Sequence, residues 1–157
     1  PNHGQCIDVA TGVKRSRPEA TVLVFGGDGD VAAIGAGAFL NAAARAEKFT
    51  LMMLNNGHFA MTGGQLAPTS VMGQITSTTP KGRDAGAGYP INMAELAASI
   101  PGVAYSARGA VNSPANFQHT KRYLKAALET QKQGTGLSFL EVLSACPPAG
   151  TWTRLKA

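Results

Sequence analysis

Cysteine is scarce in this chain, with only Cys6 and Cys146 in 157 residues. So distant a pair does not make the disulfide framework of a small secreted domain. Charge is scarce too, at 15% of residues against about a quarter in an average domain. The net charge of +5 is too small to hold a chain unfolded. Aromatics make up only 6%, and the basic residues are not interleaved with them. That argues against a nucleic-acid-binding surface. No run of about 18 apolar residues exists, so no membrane span is expected. The most apolar region, 31–46, is built of Ala and Gly and holds Asn41 and Arg45. No charged-then-apolar leader is visible, which makes the cytoplasm the default setting. The start at Pro1, followed by Asn2-His3-Gly4, reads as sequence from inside a domain. The expectation is one domain over 1–157, incomplete at its N-terminus.

Small residues are plentiful, with 19 glycines, and apolar blocks alternate in character. Gln5 to Arg15 reads as a helix, and Pro18 stands beyond its end. Thr21 to Phe25 is a short β-rich run of the kind buried on both faces of a sheet. Gly26-Gly27-Asp28-Gly29-Asp30 breaks it. A helix over Val31–Lys48 follows, with Asp30 as its N-cap. Thr50 to Leu54 is the next strand, broken by Asn55-Asn56-Gly57. Residues 57–90 are irregular, and so long a loop inside a compact domain is usually functional. Met93–Ile100 reads as a helix and Val103–Ser106 as a strand. Ser113-Pro114 starts a helix running to Lys132, and Leu137–Leu143 is the last strand. Strands alternating with helices predict an α/β fold: a mostly parallel, twisted sheet with helices on both faces. Ligands of such sheets bind beyond the carboxyl ends of strands, where Asp28 and Asn56 fall.

A strand running through glycines into a helix offers free N–H groups and a positive dipole end, which suits phosphate. The spacing misses the dinucleotide fingerprint, because Ala32 stands where the third glycine belongs. Asp28 between two glycines would repel a phosphate unless a cation lay between them. A hard divalent cation such as Mg²⁺ resolves the conflict, since it takes carboxylate and phosphate oxygens together. The plainer alternative is that Asp28 and Asp30 only cap the helix. About 30 residues separate Gly27 from Asn56, the length of one βαβ crossover. Neighbouring parallel strands would then bring the Asp28 carboxylate beside the Asn56 carbonyl, both oxygen ligands for Mg²⁺.

Gly-Asp-Gly followed after this interval by Asn-Asn is the pattern of thiamine diphosphate enzymes. The flanks narrow it further. Gly27-Asp28-Gly29-Asp30 with Ile34-Gly35, Asn55-Asn56-Gly57-His58-Phe59-Ala60-Met61-Thr62-Gly63-Gly64-Gln65 and Pro68-Thr69 resemble the β subunit of 2-oxoacid:ferredoxin oxidoreductases. His3-Gly4, Ala10-Thr11-Gly12-x-Lys14 and Glu141-Val142-Leu143-Ser144-x-Cys146-Pro147 are similar as well.

The resemblance implies the thiamine-diphosphate-binding fold and oxidative decarboxylation of a 2-oxoacid, with electrons passed to ferredoxin and the acyl group to coenzyme A. It implies Mg²⁺ held by the side chains of Asp28 and Asn56 and the backbone carbonyl of His58. Gly27, Gly29 and Asp30 would line the diphosphate site, Thr62 and Gly63 would close over it, and His3 would touch it. Cys146 matches one ligand of the [4Fe–4S] cluster that many family members carry; a single ligand cannot hold a cluster. Cys6 matches none and reads as a small buried hydrophobe. An aminopyrimidine-binding α subunit is the implied partner, with ferredoxin-like subunits beside it. The loop from His58 to Pro90 carries Phe59, Met61, Leu66, Val71, Met72 and Ile75, apolar residues suited to an interface. Two other functions share Asp28 and Asn56: a thiamine enzyme of the acetolactate-synthase or decarboxylase type, and a non-catalytic Mg-phosphate-binding α/β module.

Overall fold

The computed structural model describes residues 2–145. Six strands and four helices follow in the order α1 (Cys6–Ser16), β1 (Leu23–Gly27), α2 (Ala36–Ala44), β2 (Thr50–Asn55), β3 (His58–Phe59), β4 (Gln65–Leu66), α3 (Met93–Ala98), β5 (Val103–Ala110), α4 (Pro114–Gln133) and β6 (Leu137–Leu143). Four strands form a wholly parallel sheet in the order β1-β2-β6-β5. The expected α/β architecture is present. No helix among the described residues is long and apolar enough to cross a membrane.

Alternation along the strands sorts the two faces. Val24, Leu51, Met53, Leu137 and Phe139 point toward α1, α2 and α3, where they meet Ile7, Phe39 and Met93 in the main core. The Phe39 and Phe139 rings are tilted at 56° with centroids 5.4 Å apart, a favoured aromatic geometry. The α4 helix packs on the opposite face. There Gln131, also buried, donates to the Val22 carbonyl and to Thr50 Oγ1 and accepts from the Val22 N–H. One side chain thus stands in for the next strand partner at the start of β1 and satisfies polar groups that burial would otherwise penalise.

Three elements differ from the sequence expectation. Asp30 does not cap a continuous helix from 31 to 48. Asp30–Ile34 form one turn of π-helix, closed by the Gly35 N–H donating to the Asp30 carbonyl at 2.9 Å. Only glycine fits at 35, because a Cβ would lie 2.4 Å from that carbonyl oxygen. Such turns are frequent at functional sites. The first strand is covered on one face only: Phe25 is 56% exposed. And β5 extends four residues past Ser106, because pairing with β6 continues to Ala110↔Leu143; partner pairing overrides the weak strand preference of Ala and Gly.

The long loop is also more ordered than its composition suggests. β3 and β4 pair as a short antiparallel hairpin. Beyond it Arg83, buried, donates to the carbonyls of Ala67, Pro68, Ser70, Gly88 and Tyr89. No ion pair among the described residues involves Arg83; it acts as a hub for backbone oxygens.

Candidate functional site

The pairing of β1 with β2 runs Leu23↔Thr50 through Gly27↔Leu54. The next residues, Asp28 and Asn55-Asn56, therefore leave the sheet side by side. Asp28 is only 3% exposed. Its Oδ1 accepts from the Gly29 N–H at 3.0 Å, and its Oδ2 accepts from the Gly57 N–H at 3.0 Å and Thr69 Oγ1 at 2.7 Å. Burial pushes its carboxyl above the ordinary range; donors from Thr69, Gly29 and Gly57 and the nearby His58 pull the other way. Among the described residues no Lys or Arg pairs with it. A buried carboxylate without a cationic partner is costly, and it is the residue in which a bound cation would do most.

The Asn55-Asn56-Gly57 turn is tightly held. Gly57 has φ +74°, a conformation that favours glycine. Its carbonyl accepts from Ser70 Oγ and from Gln74 Nε2 at 2.8 Å. Asn56 Oδ1 accepts from the His58 N–H at 3.2 Å. His58 is buried, and its Nε2 has no hydrogen-bond partner. The structure thus sets Asp28 beside the turn that carries Asn56, as the Gly27–Asn56 spacing predicts, and His58, which only the resemblance implies, follows on the same turn. Among the described residues no three or more His, Cys, Asp or Glu side chains are grouped so that they could hold a metal ion between them. The oxygens carried by these two neighbouring turns, the Asp28 carboxylate, the Asn56 amide and the His58 backbone carbonyl, are hard donors of the type Mg²⁺ takes. They fit that ion, and the polar capacity of His58 Nε2 is left over.

The residues that the resemblance assigns to the diphosphate stand near this turn. Gly29 begins a helical turn directly after Asp28, and the Phe59 ring lies against it, so that a Cβ at 29 would sit 2.2 Å from the ring. Phe59 in turn carries the hairpin of Thr62 and Gly63: its carbonyl accepts from the Gly64 N–H at 2.8 Å. Thr62 is exposed and bonded to Gln65, so the hairpin reaches the site through Phe59 and not by direct contact with Asp28. His3 Nδ1 lies 2.9 Å from Asp30 Oδ1, and the Gly4 N–H donates to the same oxygen. The Asp30 carboxylate is therefore the anchor of the His3-Gly4 segment. Cys6 is in the core, its thiol pushed up to about 12 by burial and by Asp30, which suits a buried hydrophobe and not a metal ligand. Cys146 lies outside the described residues.

Sequence reasoning assigned no role to Thr69, Ser70, Gln74 or Arg83. Pro68-Thr69 was visible as part of a pattern, but its bond to Asp28 spans 41 positions and no local spacing announces it.

The model of the C-terminal TPP-binding domain of thiamine pyrophosphate enzymes matches residues 1–142. The chain is 42% identical over 146 residues to ketoisovalerate oxidoreductase subunit VorA of Methanothermobacter thermautotrophicus, covering 92% of this chain and 31% of that protein. It is 39% identical over 145 residues to 2-oxoglutarate synthase subunit KorB of Archaeoglobus fulgidus, covering 92% and 50%. Among solved structures it is similar to a 2-oxoglutarate:ferredoxin oxidoreductase from Magnetococcus marinus determined with 2-oxoglutarate, coenzyme A and succinyl-CoA bound. There the TM-score is 0.69 at 27% identity, over 92% of this chain and 46% of that one. The chain thus spans about a third to a half of the length of these relatives.

Proposed function

Because the chain belongs to the thiamine pyrophosphate enzymes, carrying their C-terminal TPP-binding domain, we propose that it serves as the thiamine-diphosphate- and Mg²⁺-binding β subunit of a 2-oxoacid:ferredoxin oxidoreductase. The observation that carries this reading is Asp28: a buried carboxylate at a strand end, without a cationic partner, one hydrogen bond from the turn that holds Asn56. In this reading Asp28 Oδ, Asn56 Oδ1 and the His58 carbonyl hold Mg²⁺. Backbone N–H groups at Gly29 and Asp30 offer the diphosphate the positive end of a helical turn. Gly27 leaves the strand end open, Phe59 keeps water from Gly29, and the Thr62-Gly63 hairpin covers the same side. His3, held by Asp30, would touch the diphosphate. When bound, thiamine diphosphate supplies the electron sink for decarboxylation of the 2-oxoacid.

The reaction proposed for the whole enzyme converts a 2-oxoacid and coenzyme A to acyl-CoA and CO₂, with two electrons passed to ferredoxin through iron–sulfur centres. Relatives named as a ketoisovalerate oxidoreductase subunit and a 2-oxoglutarate synthase subunit support it, as does the coenzyme A bound in the Magnetococcus enzyme. An α subunit supplying the aminopyrimidine half of the site is the partner, and Cys146 is the one residue of this chain offered to a [4Fe–4S] cluster. Met61 is fully exposed, and Val71, Met72, Ile75 and Ile91 are each more than two-fifths exposed. This apolar side of the loop suits a subunit interface. A cytoplasmic setting goes with ferredoxin chemistry and with the unpaired thiol of Cys6.

The test is 2-oxoacid-dependent reduction of ferredoxin by the assembled enzyme, with coenzyme A, Mg²⁺ and thiamine diphosphate. Turnover that requires both the partner subunit and coenzyme A is expected. Turnover by this chain alone, or decarboxylation that never reduces an iron–sulfur acceptor, would favour a simple decarboxylase.

A further inference from the structure

Glu141 is 2% exposed and sits on β6 between the two neighbouring strands, facing the same side as Phe139. Its two oxygens are divided. Oε1 accepts from Asn55 Nδ2 on β2 at 2.6 Å, and Oε2 accepts from Arg108 Nε on β5 at 2.8 Å. The outer nitrogens of Arg108 are taken by Glu95 on α3. With its Nδ2 committed to Glu141, Asn55 must turn its Oδ1 the other way, and there it accepts from the Gly57 N–H at 2.9 Å. That same N–H also reaches Asp28 Oδ2. A continuous polar chain therefore runs Glu95–Arg108–Glu141–Asn55–Gly57–Asp28, from the surface of α3 to the proposed metal ligand.

We propose that Glu141 is a positioning residue: by fixing which way the Asn55 amide faces, it sets the turn that presents Asn56 and the His58 carbonyl to Mg²⁺. The proposal rests on the thiamine diphosphate reading given above. Its force lies in donor–acceptor polarity. A carboxylate only accepts, so both neighbours must donate to it. Arg108 always donates, and Asn55 is left with one orientation. A carboxamide at 141 breaks this. Its oxygen would be claimed by the charged Arg108, the stronger donor, and its NH₂ would face Asn55 Nδ2. The Asn55 amide would then flip, placing its own NH₂ against the Gly57 N–H.

The experiment uses the full chain in the assembly it forms, with wild type, Glu141→Gln, Asn55→Asp and the double variant. Two quantities are read: Mn²⁺ affinity in the presence of thiamine diphosphate, by electron paramagnetic resonance, and hydrogen exchange at the Gly57 and His58 amides. Glu141→Gln should weaken Mn²⁺ binding at least tenfold and speed exchange at Gly57 by a similar factor. In the double variant the carboxamide at position 141 can donate to an accepting carboxylate at position 55, which also accepts from Gly57. Both readouts should return to within about threefold of wild type. A plain packing role predicts no such rescue, since the double variant changes no more volume than its parents. Should Glu141→Gln fail to fold, Asn55→Ala keeps the Glu141–Arg108 pair, and the same two losses are expected of it. Wild-type exchange at Gly57 in a folded Glu141→Gln or Asn55→Ala chain overturns the proposal, as does a double variant no better than Glu141→Gln. If wild type binds no Mn²⁺ with thiamine diphosphate, the functional reading fails, and the Gly57 exchange pattern alone decides the positioning role.

Discussion

At Gly29 the close approach of Phe59 decides which residue is allowed. Its φ is an ordinary −65°, so the demand for glycine is steric and not conformational. Gly29→Ala must push the Phe59 ring aside, and overpacking of this kind costs ~1–3 kcal/mol. A lower urea midpoint is expected, and it should recover in Gly29→Ala/Phe59→Ala, where the ring is gone. A Gly29→Ala chain as stable as wild type would place the ring elsewhere. The aspartate next to it was legible from sequence because charge makes a carboxylate between glycines at a strand end conspicuous. Asn56 was legible because its distance from Gly27 equals one crossover. Asn55, one residue away, was not. Its work depends on Glu141, 86 positions on, and only the sheet order brings them together.

Among the elements, the loop between β2 and α3 departs most from its appearance in sequence. Its Gly, Thr, Ser and Pro content describes a loop correctly, yet says nothing of the arginine that holds it. Replacing Arg83 by Met keeps the stem and removes its donors; the Ala67 and Pro68 carbonyls keep the Ser70 and Ile91 N–H groups, while those of Ser70, Gly88 and Tyr89 lose the donor that holds them. Buried carbonyls left without partners cost about 1–3 kcal/mol each, though some will find water. A loss of ~3 kcal/mol is expected, with faster hydrogen exchange confined to residues 67–90. Exchange that spread evenly through β2 and β6 instead would show that the loop is not a separate unit.

A second element-level device joins α1 to the residue stretch after α2. Arg15 Nη2 donates to Glu47 Oε1 at 2.5 Å, and Arg45 Nε donates to the same oxygen at 3.0 Å. Burial pushes the Glu47 carboxyl up, but the two arginines outweigh it and hold it below its ordinary value of 4.5. A lowered carboxyl stabilises the fold above that ordinary value, and the contribution is lost as pH falls through the folded one. Stability should therefore drop less steeply between pH 5 and 3 in Glu47→Gln than in wild type, measured by urea midpoints. Parallel curves would mean that the pair contributes nothing to acid sensitivity.

On the scale of the whole molecule, the sheet order β1-β2-β6-β5 sets the carboxyl ends of β1 and β2 side by side, and open α/β sheets bind ligands beyond the carboxyl ends of their strands. The alternation of strands and helices announced the sheet. It did not announce that β6 would enter between β2 and β5, because strand order is fixed by long-range packing and not by local pattern. Through that insertion Glu141 comes beside Asn55, and the turn after β1 that carries Asp28 and the turn after β2 that carries Asn56 share one backed floor. The most direct test of this account is calorimetric titration of thiamine diphosphate into the full chain, in its native assembly, with and without Mg²⁺. Binding should require Mg²⁺ and resist displacement by ATP, and Asp28→Asn should weaken it at least tenfold, about 1.4 kcal/mol. Binding that needs no divalent cation, or an Asp28→Asn chain with wild-type affinity, would contradict it.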